Sequence, residues 1–186
     1  MEGSAMTEKS LAGKKVAMVI ACRDFRDEEY FVPKDVLEKA GAEIKTASNK
    51  MGRAAGVGGG DTEVDLLIEA LNPNDFDAVV FVGGAGCLKN LDNRKSYKII
   101  NEVVSQNRVL ASICISPVIL AKAGVLKGKK ATVWSSALDK GPVKTLKENG
   151  AIYQAKSVVE DGKIITGNGP TAAREFGQAI LEVLAR

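Results

Sequence analysis

Hydrophobic residues along the chain form short continuous runs, which alternate with segments that repeat apolar positions at helical spacing. A continuous run predicts a strand buried on both faces, because a strand with one face in water would alternate apolar and polar residues. A 3.6-residue repeat predicts a helix with one apolar face. The predicted strands are residues 15–21, 43–47, 78–82, 109–113 and 130–133, with a pair at 152–159 and 163–166. The predicted helices are residues 28–40, 97–106, 118–123, 143–149 and 171–184.

Two segments follow neither pattern. Residues 51–61 contain five glycines and predict a loop or loose hairpin. A phosphate-binding loop is the sharper alternative, but the glycines at 56–60 match neither the Walker pattern nor the dinucleotide fingerprint. Residues 64–71 fit a short helix and a short strand equally well.

The alternation of strands and helices predicts an α/β fold in which a mostly parallel sheet is covered by helices on both faces. In such sheets, ligands bind beyond the carboxyl ends of the strands. Three segments meet this condition. They are residues 22–29 after the first strand, Gly83-Gly84 after a central strand, and Cys114 after the strand at 109–113.

The segment around Cys114 carries the clearest chemical signal. Ser112, Cys114 and Ser116 have the layout of a nucleophile elbow, a sharp strand-to-helix turn whose flanking residues must be small. Pro117 suits the first turn of the following helix, where the missing N–H costs nothing. A cysteine at a helix N-terminus is expected to have a lowered pKa, because the helix dipole favours the thiolate.

Composition bounds the class of protein. The 186 residues suffice for one domain, and we expect a flexible N-terminal segment at 1–13 followed by a single domain at 14–186. The net charge of +3 and the absence of a long basic run argue against nucleic acid as a partner. No apolar run approaches the roughly 20 residues of a membrane span, so no membrane partner is expected.

Cysteine and histidine usage narrows the chemistry further. Cys22, Cys87 and Cys114 are odd in number and unrelated in spacing, so we predict neither a disulfide framework nor a zinc site, and a reducing cytoplasm fits best. The chain contains no histidine, which excludes Cys–His and Ser–His dyads and any His-ligated metal. Cysteine chemistry here must depend on a carboxylate, a helix N-terminus and backbone donors, and we expect no metal and no organic cofactor.

Five motifs together resemble the ThiJ/PfpI superfamily, whose flavodoxin-like fold is a three-layer sandwich shared with class I glutamine amidotransferases. They are Lys15-Val-Ala-Met-Val-Ile-Ala21 followed by Glu29-x-x-x-Pro33; Ala78-Val-Val-Phe-Val-Gly-Gly84; Ala111-Ser-Ile-Cys-Ile-Ser-Pro117; Ala121-Lys-Ala-Gly-Val-Leu-Lys-Gly-Lys129; and Asp161-Gly-Lys-Ile-Ile-Thr-Gly-Asn-Gly-Pro170 with Glu175-Phe176.

The resemblance implies roles for particular positions. Cys114 resembles the family's reactive elbow cysteine, and Glu29, four residues before Pro33, resembles the carboxyl that hydrogen-bonds it. Gly84 and Ile115 resemble the backbone N–H donors of an oxyanion hole. A glutamate beside a thiolate is useful only when it is protonated, because two like charges would raise both pKa values.

Two departures from the family pattern matter for function. Ile115 stands where PfpI-type peptidases carry histidine, so a Cys-His-Glu triad is impossible. Several relatives with glyoxalase or deglycase activity place a histidine near the position of Trp134. Trp134 and Cys22 are candidate walls of the pocket, with core packing as their simpler interpretation. One interpretation of Cys87, which lies in a predicted loop, is an exposed, oxidisable thiol, but its neighbours in sequence supply no clear activating group.

Three functions stay open at this point. The resemblance implies a cysteine-dependent protein acting on small reactive carbonyls such as 2-oxoaldehydes, with Glu29 moving the proton. A peptidase or amidase, as the family name suggests, is the second. A redox-sensing or chaperone-like stress protein that oxidises Cys114 is the third. The resemblance also implies a homo-oligomer, either a dimer or a hexamer.

Overall fold

A seven-stranded sheet lies at the centre of the protein, with helices on both of its faces. The computed structural model describes residues 9–186. The strands are β1 (Lys15–Ile20), β2 (Arg23–Phe25), β3 (Glu43–Ser48), β4 (Gly52–Gly56), β5 (Asp61–Val64), β6 (Leu66–Leu67), β7 (Ala78–Phe81), β8 (Val109–Ile113), β9 (Lys130–Ala131), β10 (Ile152–Tyr153), β11 (Val158–Asp161) and β12 (Ile164–Gly167). The α-helices are α1 (Asp27–Lys39), α2 (Cys87–Leu91), α3 (Arg94–Ser105), α4 (Pro117–Lys122), α5 (Gly141–Glu148) and α6 (Ala173–Leu184).

The order of the strands places the expected site in the middle of the sheet. The order is β11-β12-β8-β7-β1-β3-β6, and β11 alone within this sheet pairs antiparallel. From β1 the chain passes first to β3 on one side and later to β7 on the other, so the sheet reverses its direction of winding at β1 and β7. Ligands bind beside such a switch point, at the carboxyl ends of the strands. The segments after β1, β7 and β8 all reach that edge.

The continuous apolar runs are explained by two cores, one on each face of the sheet. Val16, Met18 and Ile20 of β1 pack into the core under α1 and α6, whereas Ala17 and Val19 pack into the core under α3 and α4. All five side chains are fully buried. The predicted three-layer sandwich with a mostly parallel sheet is confirmed.

Several predicted elements differ from the structure in detail. The predicted strand 152–159 is broken, because β10 pairs with β9 in a separate parallel pair while β11 forms the hairpin with β12. The two strands of this hairpin are joined by a turn at Gly162 and Lys163. Residues 64–71 contain both a short strand, β6, and a 3-10 turn at Ile68–Ala70. The elements β2 and α2 were not predicted, because three to five residues are too few to show a period.

The glycine-rich segment forms the loose hairpin, with β4 and β5 antiparallel. This hairpin joins β2 in a small three-stranded sheet. It lies beyond the carboxyl end of β1, because β2 follows β1 after two residues. The hairpin therefore adjoins the expected site.

Residues 1–8 of the predicted flexible segment 1–13 lie outside the described residues. Within the rest, Leu11 is fully buried and its N–H donates to the Ala40 carbonyl at 2.7 Å. Packing against the domain thus starts before the predicted boundary at residue 14. Across residues 9–186, no helix has both the length and the apolar character needed to cross a bilayer.

Candidate active site

Cys114 lies at the turn between β8 and α4 with a backbone φ of +64°. Non-glycine residues rarely adopt this left-handed conformation, which persists only where neighbouring contacts hold it. Two hydrogen bonds do so here. The Cys114 N–H donates to the Gly167 carbonyl at 2.9 Å, and the Cys114 carbonyl accepts from the Trp134 N–H at 2.8 Å. The predicted elbow is therefore present and is tied to both neighbouring segments.

Ser112 and Ser116, the two small residues that flank the elbow, also form a buried hydrogen-bonded network. The Ser116 hydroxyl accepts from the Ile113 N–H at 3.0 Å and lies 2.6 Å from the Ser112 hydroxyl. It also lies 2.9 Å from the Phe81 carbonyl oxygen at the end of β7. Both serine side chains are fully buried. Small size explains why these positions tolerate the turn, and the hydroxyls explain how the turn is fixed to β7.

Glu29, in the first turn of α1, is a fully buried carboxyl group. Its Oε2 accepts from the Gly83 N–H at 2.9 Å. Its Oε1 makes no hydrogen bond of standard geometry within residues 9–186. Burial raises the pKa of Glu29 to about 7, although contact with the Cys114 thiol, the Gly83 N–H and the charge of Arg26 all lower it. A large part of the Glu29 population is thus protonated near neutral pH.

The structure brings the Glu29 carboxyl and Cys114 together against Gly83. A Cβ atom added at Gly83 would lie 2.7 Å from both the Cys114 Cβ and the Glu29 Oε2. Only a glycine leaves room for these two side chains to approach one another here. The first glycine of the Gly83-Gly84 pair is therefore required by the site.

The expected lowering of the Cys114 pKa is wrong. Burial is the largest influence and raises the pKa of the thiol, and the charge and hydrogen bond of Glu29 raise it further. The N–H groups of Ile115 and Gly84 oppose this shift. The short helix that follows does not outweigh burial beside a carboxyl. Because Glu29 and Cys114 resist holding two negative charges together, they titrate as one coupled pair.

Both predicted backbone donors lie at the Cys114 sulfur. Gly84 has φ +113°, and a Cβ added there would lie 2.5 Å from the Arg26 nitrogen and from the Asp24 carbonyl oxygen. The β2 segment therefore packs directly on Gly84, which holds its N–H in place. The Ile115 side chain packs against the core under α3 and α4, so this residue offers the site its N–H.

The two candidate wall residues lie on either side of the elbow cysteine along the chain. Trp134 is half-buried, and its Cδ1 would lie 3.8 Å from a Cβ at Gly169. Cys22 is also half-buried, and its N–H donates to the Asn49 side chain at 2.9 Å. Trp134 is thus tied to Cys114 through its backbone, while Cys22 joins the end of β1 to the segment after β3. Their contact with a ligand remains a prediction.

The interpretation of Cys87 as an exposed thiol is wrong. Cys87 begins α2 and is fully buried, and burial raises the pKa of its thiol. All three cysteines are free. Within residues 9–186, no group of three or more acidic or cysteine side chains is placed to hold a metal ion.

Arg26 and Asp27 lie within the predicted segment 22–29, but the sequence indicated no individual role for either of them. The Arg26 N–H donates to the Gly83 carbonyl at 3.1 Å, and its positive charge lowers the pKa of Glu29. The Asp27 carboxylate accepts hydrogen bonds from the glycine-rich hairpin. These contacts join residues far apart in sequence, and only the charges beside Glu29 gave any signal.

An α/β sandwich with a cysteine at a strand-to-helix elbow, facing a buried glutamate across a glycine, defines a recognisable class of proteins. The model of the DJ-1/PfpI family matches residues 14–183, and the chain belongs to this family. The resemblance inferred from the motifs is thus confirmed.

Relatives agree with this assignment over most of their length. An uncharacterised protein of Methanocaldococcus jannaschii is 41% identical over 179 residues, which cover 96% of this chain and 86% of the relative. A Pyrococcus abyssi protein named a deglycase is 32% identical over 153 residues, covering 82% of this chain and 89% of the relative. The crystal structure of a ThiJ/PfpI domain protein from Brachyspira murdochii has a TM-score of 0.87 at 33% identity, covering 92% of this chain and 98% of that one.

Proposed function

We propose that the protein converts small reactive carbonyl compounds, 2-oxoaldehydes or their adducts, through Cys114. The observation that carries this proposal is the buried Glu29 carboxyl beside Cys114, with a pKa raised to about 7. A group with this pKa can both accept and release a proton at neutral pH. In a chain without histidine, it is the natural proton carrier for chemistry at the sulfur.

The first step is addition of sulfur to the aldehyde carbon. The Cys114 sulfur forms the new C–S bond, and the thiol proton passes by way of Glu29 to the former carbonyl oxygen, giving a hemithioacetal. The N–H groups of Gly84 and Ile115 hydrogen-bond the oxygen while it is negatively charged. Such donors contribute about 3 kcal/mol each to lowering a barrier in comparable sites.

The second step moves a proton within the bound adduct. The Glu29 carboxylate removes the proton from the carbon bonded to sulfur, and the neighbouring carbonyl oxygen takes up the negative charge of the resulting enediolate. Glu29 then returns the proton to the neighbouring carbon, and the hydroxyl proton of the sulfur-bearing carbon passes to the negative oxygen. The product is a 2-hydroxyacyl thioester on Cys114. Water then cleaves this thioester, releasing a 2-hydroxy acid and restoring the thiol. One carbon is oxidised and its neighbour reduced, so no external oxidant or reductant is consumed.

The names of two relatives support a proposal of carbonyl chemistry. The Pyrococcus abyssi relative is named a deglycase, and an Escherichia coli protein named protein/nucleic acid deglycase 2 is 27% identical over 174 residues. The word denotes removal of glycation, which is a reaction on adducts formed by carbonyl compounds. The peptidase alternative has less support, because Ile115 and the absence of histidine leave Glu29 alone as a base.

The test is turnover of methylglyoxal to lactate by the purified protein, beside a protein-free control. We expect lactate formation in the parent, loss of it in Cys114→Ser, and a fall of about a hundredfold or more in Glu29→Gln. Glu38→Gln is the matched control, because Glu38 is an exposed glutamate of the same helix and is not among the groups that shift the pKa of Glu29. No lactate from the folded parent, or equal rates in Cys114→Ser, would overturn the proposal.

Two further measurements distinguish the peptidase and redox-sensing functions from carbonyl conversion. Cleavage of peptide amides that depends on Cys114 and survives repurification favours a peptidase. A parent that turns over neither substrate, yet is oxidised at Cys114 by mild peroxide in an intact-mass measurement, favours redox sensing.

A further inference from the structure

The glycine turn, residues 56–60 between β4 and β5, binds a carboxylate of this chain. The Asp27 Oδ2 accepts from the Gly58 N–H at 2.6 Å, and the Asp27 Oδ1 accepts from the Gly60 N–H at 2.7 Å. Backbone N–H groups of one turn that converge in this way form an anion-binding concavity. The anion position that a phosphate would need is therefore filled by Asp27, and the phosphate-loop alternative for this segment is not supported.

The glycines of this turn are required by the carboxylate they surround. A Cβ at Gly56 would lie 2.5 Å from the Asp27 Oδ2, and one at Gly58 would lie 3.1 Å from the same atom. A Cβ at Gly60 would overlap the Asp27 Oδ1 and the Phe31 ring. Gly59 differs, because nothing lies within 4 Å of its Cβ position. Three of the four glycines thus serve the contact with Asp27.

Asp27 also fixes the first turn of α1, which carries Glu29 two residues later. The residue before the helix, Arg26, gives no side-chain cap. On one side, the first turn is held by Gly83, which accepts from the Arg26 N–H and donates to Glu29. On the other side, it is held by the glycine turn through Asp27. These two attachments together set where the Glu29 carboxyl lies.

We infer that Asp27, held by the glycine turn at residues 56–60, is a positioning residue that sets the Glu29 carboxyl against Cys114. Glu29 makes one standard hydrogen bond of its own, to Gly83, and its other oxygen makes none. The position of the Glu29 carboxyl therefore depends on the contacts that hold the first turn of α1 in place. Displacement of a reacting group by about 1 Å can cost about a hundredfold in rate. The inference rests on the proposed role of Glu29.

The experiment measures alkylation of Cys114 by iodoacetamide against pH, located by peptide mass. This readout needs no carbonyl turnover, so it tests the positioning even if the parent has no lactate-forming activity. In Asp27→Ala and Gly60→Ala, we expect the step assigned to the Glu29–Cys114 pair to move down by about half a pH unit or more, because a displaced Glu29 becomes more hydrated. Turnover of methylglyoxal should fall about tenfold or more.

The controls separate positioning from general loss of structure. Gly59→Ala puts strain into the same turn at φ +91° without touching Asp27, and Asp35→Ala removes an exposed carboxylate of the same helix. Both should keep the parent's alkylation profile. Asp27→Asn should lie between parent and Asp27→Ala, because the amide keeps one acceptor but turns an NH2 group toward a backbone N–H.

A double-mutant cycle gives the decisive comparison. If Asp27 acts through Glu29, adding Asp27→Ala to Glu29→Gln should leave the alkylation profile of Glu29→Gln unchanged. An equal shift with and without Glu29 would overturn the inference, as would folded Asp27→Ala and Gly60→Ala proteins with the parent's profile. Where Asp27→Ala fails to fold, Asp27→Asn and Gly60→Ala decide by the same criterion.

Discussion

At the scale of single residues, the central feature is that Glu29 and Cys114 share their titration. Burial raises the pKa of both groups, and the ionised form of each opposes ionisation of the other. The pair loses its first proton near the pKa of Glu29, which is about 7. The negative charge that remains raises the pH at which the second proton is lost. We expect part of this first charge to reside on sulfur, because the N–H groups of Gly84 and Ile115 lower the pKa of the thiol against the effects of burial and of Glu29.

Replacing Glu29 by glutamine should convert a two-step thiol titration into one step. In the parent, alkylation of Cys114 should rise partially near pH 7 and again at much higher pH, because the second ionisation meets the first charge. Glu29→Gln removes that charge but keeps a hydrogen-bond donor. Alkylation of Cys114 in this variant should therefore show a single step, at a pH below that of the parent's second step. Glu29→Leu removes the donor as well, so its step should lie higher than that of Glu29→Gln.

The measurement is iodoacetamide alkylation between about pH 5 and 11, resolved by peptide mass. Two steps in Glu29→Gln, at the parent's positions, would show that the glutamate is not coupled to the thiol. Glu38→Gln serves as the control, since Glu38 is exposed on the same helix and is not among the groups that shift the pKa of Glu29, so this variant should retain both steps.

Cys87 should be unreactive while the protein is folded. Its side chain is fully buried in the core under α3 and α4, and burial raises the pKa of its thiol. We expect no labelling of Cys87 under native conditions that label Cys114, and ordinary labelling of Cys87 in urea. Labelling of both thiols at similar rates in the folded protein would contradict the packing described for α2.

At the scale of elements, the elbow depends on the hydroxyl of Ser116 as much as on its small size. Ser116→Ala keeps the steric condition of the turn but leaves the Ile113 N–H and the Ser112 hydroxyl without their buried partner. Burying such unpaired groups costs about 1–3 kcal/mol, which should appear as a lower free energy of unfolding in urea.

Ser105→Ala is the matched control for this change. The Ser105 hydroxyl is exposed and donates to the Glu102 carbonyl at the end of α3. Its loss should change the free energy of unfolding by less than about 0.5 kcal/mol. Equal effects at the two serines would show that the buried hydrogen bonds do not hold the elbow.

The elements also show how much could be predicted from the sequence. The buried strands β1, β7 and β8 were found because burial on both faces leaves an uninterrupted apolar run. The elbow was found because its spacing is local. The sign of the Cys114 pKa shift was wrong, since the burial that raises it comes from segments distant in sequence. The bond from Asp27 to the glycine turn spans 31 residues and has no local pattern.

At the scale of the whole molecule, the sheet assembles a site from segments that are far apart in the chain. Glu29 and its donor Gly83 are separated by 54 residues, and Cys114 lies on a third segment. Their meeting depends on β1, β7 and β8 lying side by side in the sheet. Folding therefore buries the Glu29 carboxyl, and its protonation must be linked to the stability of the entire domain.

The sign of this linkage follows from the raised pKa of Glu29. Between its ordinary value of 4.5 and about 7, the unfolded chain has released a proton that the folded protein keeps. Stability should therefore fall as the pH rises through this range, and the full cost should be present above it. A shift of this size corresponds to about 3 kcal/mol, an upper figure for one buried group.

Glu29→Gln should remove this pH dependence, because a buried amide has no proton to lose. The quantity to measure is the free energy of unfolding of Glu29→Gln minus that of Glu38→Gln, by urea titration at several pH values. The subtraction cancels the pH-dependent contributions of the titratable groups that both variants share. We expect the difference to grow in favour of Glu29→Gln by up to about 3 kcal/mol as the pH rises from about 5 to 8. A difference that stays constant with pH would mean that folding does not raise the pKa of Glu29, and the proton-carrying role proposed for it would lose its basis.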